Sequence, residues 1–112
     1  CIVTPESFGR ELSDSRTFCI YGELAQLLAA GLVKGGSLDN AVIMHDGAII
    51  SKDRMRHKEE FARHKMMDLV GDIFLTGMRV RAKVTAIRAG HPTHVKLAGE
   101  MLAQYAANHQ NT

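Results

Sequence analysis

Two apolar runs, Ala41-Val42-Ile43-Met44 and Ala48-Ile49-Ile50, flank the tripeptide His45-Asp46-Gly47. An Asp-Gly pair between two apolar runs is characteristic of a β-hairpin. Segment 41–50 is therefore predicted to form two antiparallel strands joined by a tight turn.

Apolar residues at helical spacing predict helices on both sides of this hairpin. Upstream, residues 21–30 carry leucines one turn apart, and Gly31 follows as a C-cap. Downstream, a long helix is predicted from Glu59 to about Thr76, with Gly77 ending it. The last helix is expected to carry Pro92 in its first turn. The apolar positions of these three helices are Leu24, Leu27 and Leu28; Ala62, Met66, Leu69 and Ile73; and Val95, Ala98, Met101, Leu102 and Tyr105.

Residues 79–86 alternate strictly between apolar and polar side chains, a period of two that predicts a half-buried strand. The polar face of this segment includes Arg79, Arg81 and Lys83. Together these elements predict an α+β fold, with helices packed on one face of a mainly antiparallel sheet.

Length and composition describe an ordinary globular chain. The 112 residues are enough for one domain, and the net charge of +2 does not indicate a nucleic-acid partner. The longest apolar stretch, residues 24–33, is far shorter than the roughly 20 residues of a membrane span. Cys1 and Cys19 have no metal-binding spacing, which favours a reducing, cytoplasmic location. The chain opens without Met or a signal peptide, so we expect it to be a piece of a longer protein.

The chemically informative segment is residues 63–72. On a helix, His64, Asp68 and Asp72 lie four residues apart along one face. An imidazole nitrogen and a carboxylate one turn apart can bind the same metal ion. The alternative is a solvated face on which His64 and Asp68 only pair with each other.

His91 is the second candidate, because it precedes Pro92 at the predicted start of the last helix. A helix N-terminus lowers the pKa of an imidazolium, whereas a carboxylate such as Asp72 beside it raises that pKa. A histidine between these influences can act as an acid near neutral pH. The alternative is a partly exposed loop histidine.

Two further side chains have functional and structural interpretations. Thr17 offers a hydroxyl at a loop-to-strand boundary, although most such threonines cap a turn. Lys65 is a solvated cation unless it turns inward to bind phosphate or neutralise an oxyanion.

Four segments together resemble the C-terminal part of the zinc-dependent UDP-3-O-acyl-N-acetylglucosamine deacetylases of lipid A biosynthesis. They occur in that family's order and with compatible spacing. They are Ser15-Arg16-Thr17-Phe18, Gly35-Gly36-Ser37-Leu38-Asp39-Asn40, Phe61-Ala62-Arg63-His64-Lys65-Met66-Met67-Asp68 with Gly71-Asp72, and Gly90-His91.

This resemblance implies a role for each matching residue. His64 and Asp68 would be two of three protein ligands to Zn²⁺. Thr17 and Lys65 would act on the reacting carbonyl, and Lys65 would also contact substrate. His91, oriented by Asp72, would be the general acid that protonates the leaving amine.

The resemblance also implies substrate contacts and a larger architecture. Residues 18–50 would form a βαβ insert lining the passage for the acyl chain, with the matching residues Phe18, Leu24, Val33, Gly36 and Ser37. Arg88 lies where the family commonly has a lysine near the nucleotide diphosphate. Residues 1–112 would be part of the second of two similar α+β domains, with the active site between them.

Two departures from the family pattern leave alternatives open. His94 stands where the family usually has an asparagine. The second departure is that these 112 residues match only the C-terminal part of the family. In the family, the N-terminal half carries the third zinc ligand, a histidine, and the glutamate that serves as general base. The alternatives are therefore a catalytically inactive fragment, or an RNA-binding α+β module using Arg79, Arg81 and Lys83. The second is less favoured, because no aromatic residues are interleaved with these cations and the net charge is low.

Overall fold

The computed structural model of the protein describes residues 1–31 and 37–110. It divides the chain into two compact units, Cys1–His64 and Lys65–Thr112. The boundary between these units falls inside one long helix. Val33 and Gly36, expected to contact the acyl chain, lie outside the described residues.

The first unit contains a three-stranded sheet. The strands are β1 (Thr17–Ile20), β2 (Ala41–His45) and β3 (Ala48–Ile50), in the order β1-β2-β3. β1 and β2 run parallel, and β2 and β3 run antiparallel. The predicted α+β class is confirmed, with mixed rather than mainly antiparallel pairing.

The parallel pair arises from a βαβ crossover. Helix α2 (Tyr21–Ala29) follows β1 directly and contacts both β1 and β2. It ends where predicted, because Gly31 has φ +70°, a left-handed value that favours glycine. Hydrophobic periodicity did not predict a parallel pair, because β1 and β2 are joined by a long connection rather than a turn. The family resemblance did imply a βαβ unit here, and the parallel pairing of β1 and β2 agrees with it.

The hairpin between β2 and β3 is confirmed. Ile43 pairs with Ile50, and His45 pairs with Ala48 across the turn. Asp46 and Gly47 both have positive φ, 48° and 76°. Two successive left-handed residues are the signature of the type I′ turn, whose twist matches that of the strands it joins.

Two short helical segments precede β1. Helix α1 (Pro5–Ser7) begins at a capping box in which Thr4 and Ser7 bond to each other's backbone N–H groups. A π-helical turn, Phe8–Leu12, continues it. Among the described residues of this unit, Leu12 and Val42 are the fully buried apolar ones, with 1% and 0% exposure.

Helix α3 (Glu60–Ile73) continues as a 3₁₀ turn, Phe74–Thr76, and ends at Gly77 with φ +69°. The predicted helix and its glycine stop are confirmed. Its apolar stripe is less buried than predicted, because Ala62 is exposed and the other three members are half-buried.

Helix α4 (His91–His109) starts at the N-cap Gly90, with Pro92 in its first turn as predicted. Of its predicted apolar face, Ala98 is buried, whereas Leu102 and Tyr105 remain 41% and 51% exposed. No helix of the described ranges combines enough length and apolarity to span a bilayer.

The strand predicted over residues 79–86 does not form. This segment is exposed and has no regular structure, and no backbone hydrogen bond joins it to another described segment. Alternating apolar and polar residues would give a strand one apolar face. A strand also needs a neighbouring backbone with which its N–H and C=O groups can pair. Arg79, Arg81 and Lys83 therefore do not lie on the polar face of a sheet.

Candidate metal and acid–base site

His64 lies in the second turn of α3, and its ring is held by a backbone carbonyl. Its Nδ1 is 2.8 Å from the carbonyl oxygen of Ser15. A carbonyl oxygen can only accept, so Nδ1–H is the donor and Nε2 is the ring atom suited to a metal. Metal-binding histidines commonly have their second nitrogen held in this way.

Asp68 follows His64 by four residues along α3, which is the predicted spacing. His64 belongs to the first unit, whereas Lys65 and Asp68 belong to the second. Imidazole nitrogen and carboxylate oxygen are both suitable ligands for Zn²⁺, so the donor types fit that ion.

In the second unit, the carboxylate of Asp72 accepts hydrogen bonds from two histidine rings. Its Oδ2 lies 2.7 Å from Nδ1 of His91 and 2.9 Å from Nδ1 of His94. The hydrogen bond from His91 is the main reason why the pKa of Asp72 lies below its usual value, with desolvation acting against it. The carboxylate is therefore held ionised between two ring N–H donors.

The pKa of His91 lies above its ordinary value, chiefly because of the hydrogen bond to Asp72 and its negative charge. Asp68 adds to the rise, with Oδ2 3.7 Å from Nε2 of His91, whereas the charge of Lys65 opposes it. The direction of this pKa shift is the one expected from a neighbouring carboxylate. His91 stays exposed, with 65% of its side-chain surface accessible.

Reasoning from the sequence missed the contact of His94 with Asp72. His94 is one turn after His91 on α4 and only 4% exposed. The ligand atoms of Asp72, His91 and His94 all lie within 4.8 Å of one another. The H-x-x-H spacing at a helix start was the available signal, because residues three apart share a helix face.

A buried ion pair between Arg16 and Glu60 was also missed. Both side chains are almost fully buried, with 1% and 0% of their surface exposed. The sequence carried no signal for this pair, because 44 positions separate Arg16 from Glu60.

The other predicted residues are spread over both units. Thr17 is exposed at the first position of β1. Phe18 packs on Phe61 with ring centroids 4.7 Å apart, and Leu24 is half-buried on α2. Ser37 is exposed and donates its N–H to Oδ1 of Asn40. Arg88 is exposed in the second unit, with a left-handed φ of 50°.

Comparison with known proteins agrees with the family resemblance of the four sequence segments. Residues 1–103 match the family described as "LpxC: UDP-3-O-acyl N-acetylglycosamine deacetylase". This match does not favour the RNA-binding alternative. Three similar proteins named UDP-3-O-acyl-N-acetylglucosamine deacetylase come from Anaeromyxobacter sp. (strain Fw109-5), Chlamydia felis (strain Fe/C-56) and Chlamydia pneumoniae. Their sequence identities to this chain are 41%, 40% and 41%, in that order. The alignments cover 90%, 92% and 90% of this chain.

The same alignments cover 33%, 37% and 36% of those relatives. The chain thus spans about a third of the length of the curated relatives that it matches. Because the family match extends over nearly the whole chain, the chain belongs to the UDP-3-O-acyl N-acetylglycosamine deacetylase family.

Proposed function

We propose that the protein containing this chain hydrolyses the acetamide of UDP-3-O-acyl-N-acetylglucosamine in lipid A biosynthesis, releasing acetate. Family membership supports this reaction. The structural observation that carries it is the 2.7 Å bond between His91 and Asp72, because it holds an accessible imidazole in the arrangement of a general acid.

His64 and Asp68 are the proposed zinc ligands. The bond from His64 Nδ1 to the Ser15 carbonyl supports this assignment, because it orients the ring and reserves Nε2 for the ion. Bound zinc acidifies a water molecule and polarises a carbonyl. Catalytic zinc sites use three protein ligands, so a third must come from outside these residues.

The chain's other residues act on substrate and leaving group. Thr17 donates its hydroxyl to the acetamide carbonyl oxygen, and Lys65 stabilises the negative charge that develops there. His91 transfers its proton to the glucosamine nitrogen as the C–N bond breaks. Asp72 keeps the His91 ring oriented and favours its protonated form. A glutamate outside the chain takes the proton of the attacking water.

The first unit provides the proposed acyl passage. Its βαβ crossover presents Phe18 and Leu24 half-buried, which suits contact with hydrocarbon. We assign Val33, Gly36 and Ser37 to the same passage by resemblance. Arg88 is proposed to contact the nucleotide diphosphate, where its planar guanidinium replaces the lysine usual in the family. We also propose a cytoplasmic location, which is supported by the free thiols of Cys1 and Cys19 because these suit a reducing compartment.

The chain alone is proposed to be inactive. Two protein ligands bind zinc weakly and do not fix a catalytic geometry. Deacetylase activity of the isolated 112-residue chain would contradict this part of the proposal.

The test of the acid is His91→Ala in the full-length protein that contains this chain. We expect kcat to fall by about 100-fold or more while zinc content is unchanged. His109→Ala is the matched control, because that histidine lies at the far end of the same helix and contacts Tyr105. Loss of zinc from the His91 variant, or unchanged turnover, would show that His91 has another role.

A further inference from the structure

The charged pair of Arg16 and Glu60 is enclosed and fully engaged. The Glu60 carboxylate accepts hydrogen bonds from the Arg16 backbone N–H and Nε at 2.8 Å each, and from Arg16 Nη2 at 3.0 Å. The Arg56 backbone N–H adds a fourth at 2.9 Å. Arg16 also donates to Oγ of Ser51 at 2.8 Å and to the carbonyl of Arg54 at 3.2 Å.

These bonds join three segments that are distant in sequence. They tie the residue before β1 to the first residue of α3 and to the loop 51–56. One turn later on α3, His64 bonds to the carbonyl of Ser15, the residue immediately before Arg16. The first two turns of α3 are therefore attached to residues 15–16, the first through Glu60 and the second through His64.

Thermodynamic stability is a weak explanation for such a pair. Desolvation of two charges offsets most of their attraction, and apolar replacements are often equally stable. Geometry is a better explanation, because a planar guanidinium forked onto a carboxylate fixes both distance and angle.

We infer that the Arg16–Glu60 pair is a positioning element, which holds the Ser15 carbonyl against Nδ1 of His64 and so sets the ring for metal binding through Nε2. This inference rests on the proposed role of His64 as a ligand. The same pair fixes the residue before Thr17, so it also places the start of β1.

The test uses Glu60→Gln in the full-length protein, with Glu59→Gln as the matched control. Glu59 is the neighbouring residue, but its carboxylate is 59% exposed and lies 3.7 Å from Arg63. In the metal-free protein, ¹⁵N spectra of the histidine rings report which nitrogen carries the proton. We expect His64 as the Nδ1–H tautomer in wild type and in Glu59→Gln, and as a mixture of tautomers in Glu60→Gln.

Zinc affinity provides a second measurement. Loss of an outer hydrogen bond to a ligand typically weakens metal binding about 10-fold or more. We therefore expect the zinc dissociation constant to rise by about 10-fold in Glu60→Gln and to stay unchanged in Glu59→Gln. An unchanged His64 tautomer together with unchanged zinc affinity would overturn the inference and leave the proposed function standing.

Arg16→Lys is the second variant, for use if Glu60→Gln does not fold. It keeps the positive charge but loses the two-pronged guanidinium contact with the carboxylate. It should produce the same tautomer mixture with a smaller loss of affinity. Failure of both variants to fold would also overturn the inference, because the pair would then be a requirement of the fold. If the protein hydrolyses no acetamide, the tautomer measurement still decides this inference separately.

Discussion

Each unit contains a carboxylate that is hydrogen-bonded to basic side chains, and the two sites differ in how far they are exposed to solvent. In the first unit, Glu60 is fully buried and its four hydrogen bonds come from Arg16 and Arg56. In the second unit, one oxygen of Asp72 is shared by two imidazoles, of which His91 is 65% exposed. A closed network fixes geometry, whereas an open one lets a group gain and lose a proton.

Physical chemistry accounts for this division. A buried charge is tolerated only when all its polar partners are present, so the Glu60 network has no freedom to rearrange. A proton donor must instead reach water and substrate in turn, which requires exposure. The proposed roles follow the same division, because the proposed ligand His64 lies in the first unit and the proposed acid His91 in the second.

The largest expected effect is the loss of zinc. His64→Ala in the full-length protein should leave it without bound zinc after dialysis, because one of three proposed ligands is removed. Metal analysis measures this directly. Asp72→Asn is the comparison variant, since Asp72 bonds to His91 and His94 rather than to a proposed ligand. A full zinc complement in His64→Ala would exclude His64 as a ligand.

The next effect concerns acidity in the second unit. In Asp72→Asn the pKa of His91 should fall towards its ordinary value of 6.5, because the main cause of its rise is removed. An acid with a lower pKa loses its proton at lower pH, so activity should decline earlier as pH rises. We expect kcat at neutral pH to fall about 10-fold or more. NMR titration of His91 checks the shift, and an unmoved titration would disprove the coupling.

A smaller effect concerns the buried Arg16–Glu60 pair, which should make the stability of the protein depend on pH in acid. The Arg16 guanidinium lowers the pKa of Glu60 from 4.5 to about 2. A lowered pKa gives stability that is complete above pH 4.5 and is lost as pH falls through about 2. The urea midpoint of wild type should therefore fall more steeply over this range than that of Glu60→Gln. Parallel curves for the two proteins would contradict the assignment.

The smallest effect concerns His94. His94→Ala removes a buried partner of Asp72 and should lower the free energy of unfolding by about 1–3 kcal/mol. His94→Asn restores an N–H donor and the residue usual in the family, so its loss should be about 1 kcal/mol or less. Urea unfolding measures both variants. Equal losses in the two would mean that packing, rather than the hydrogen bond, accounts for the burial of His94.

Local sequence rules predicted most of the fold. The Asp46-Gly47 turn, the glycine stops at Gly31 and Gly77 and the place of Pro92 in the first turn of α4 were all predicted correctly. Each depends on backbone preferences of one or two residues. The segment 79–86 failed because pairing requires a second backbone, which a local pattern does not contain.

The site was predicted only in part. The spacing of His64, Asp68 and Asp72 on one helix follows from the sequence, as does the placement of His91 at a helix start. The partner of His64 is a backbone carbonyl, which every residue has, so no side-chain pattern could indicate Ser15. Glu60 and Arg16 are 44 positions apart, and neither residue type alone predicts a buried pair.

Amino-acid order alone predicted the three longer helices, the hairpin, the chemically suitable side chains and their intervals along α3, because these depend on contacts between near neighbours. Only the tertiary structure decided which nitrogen of His64 is occupied, that Arg16 and Glu60 are enclosed together, and that His91 and His94 share Asp72. These features depend on bringing distant segments within 3 Å or so, a distance at which hydrogen bonds become specific.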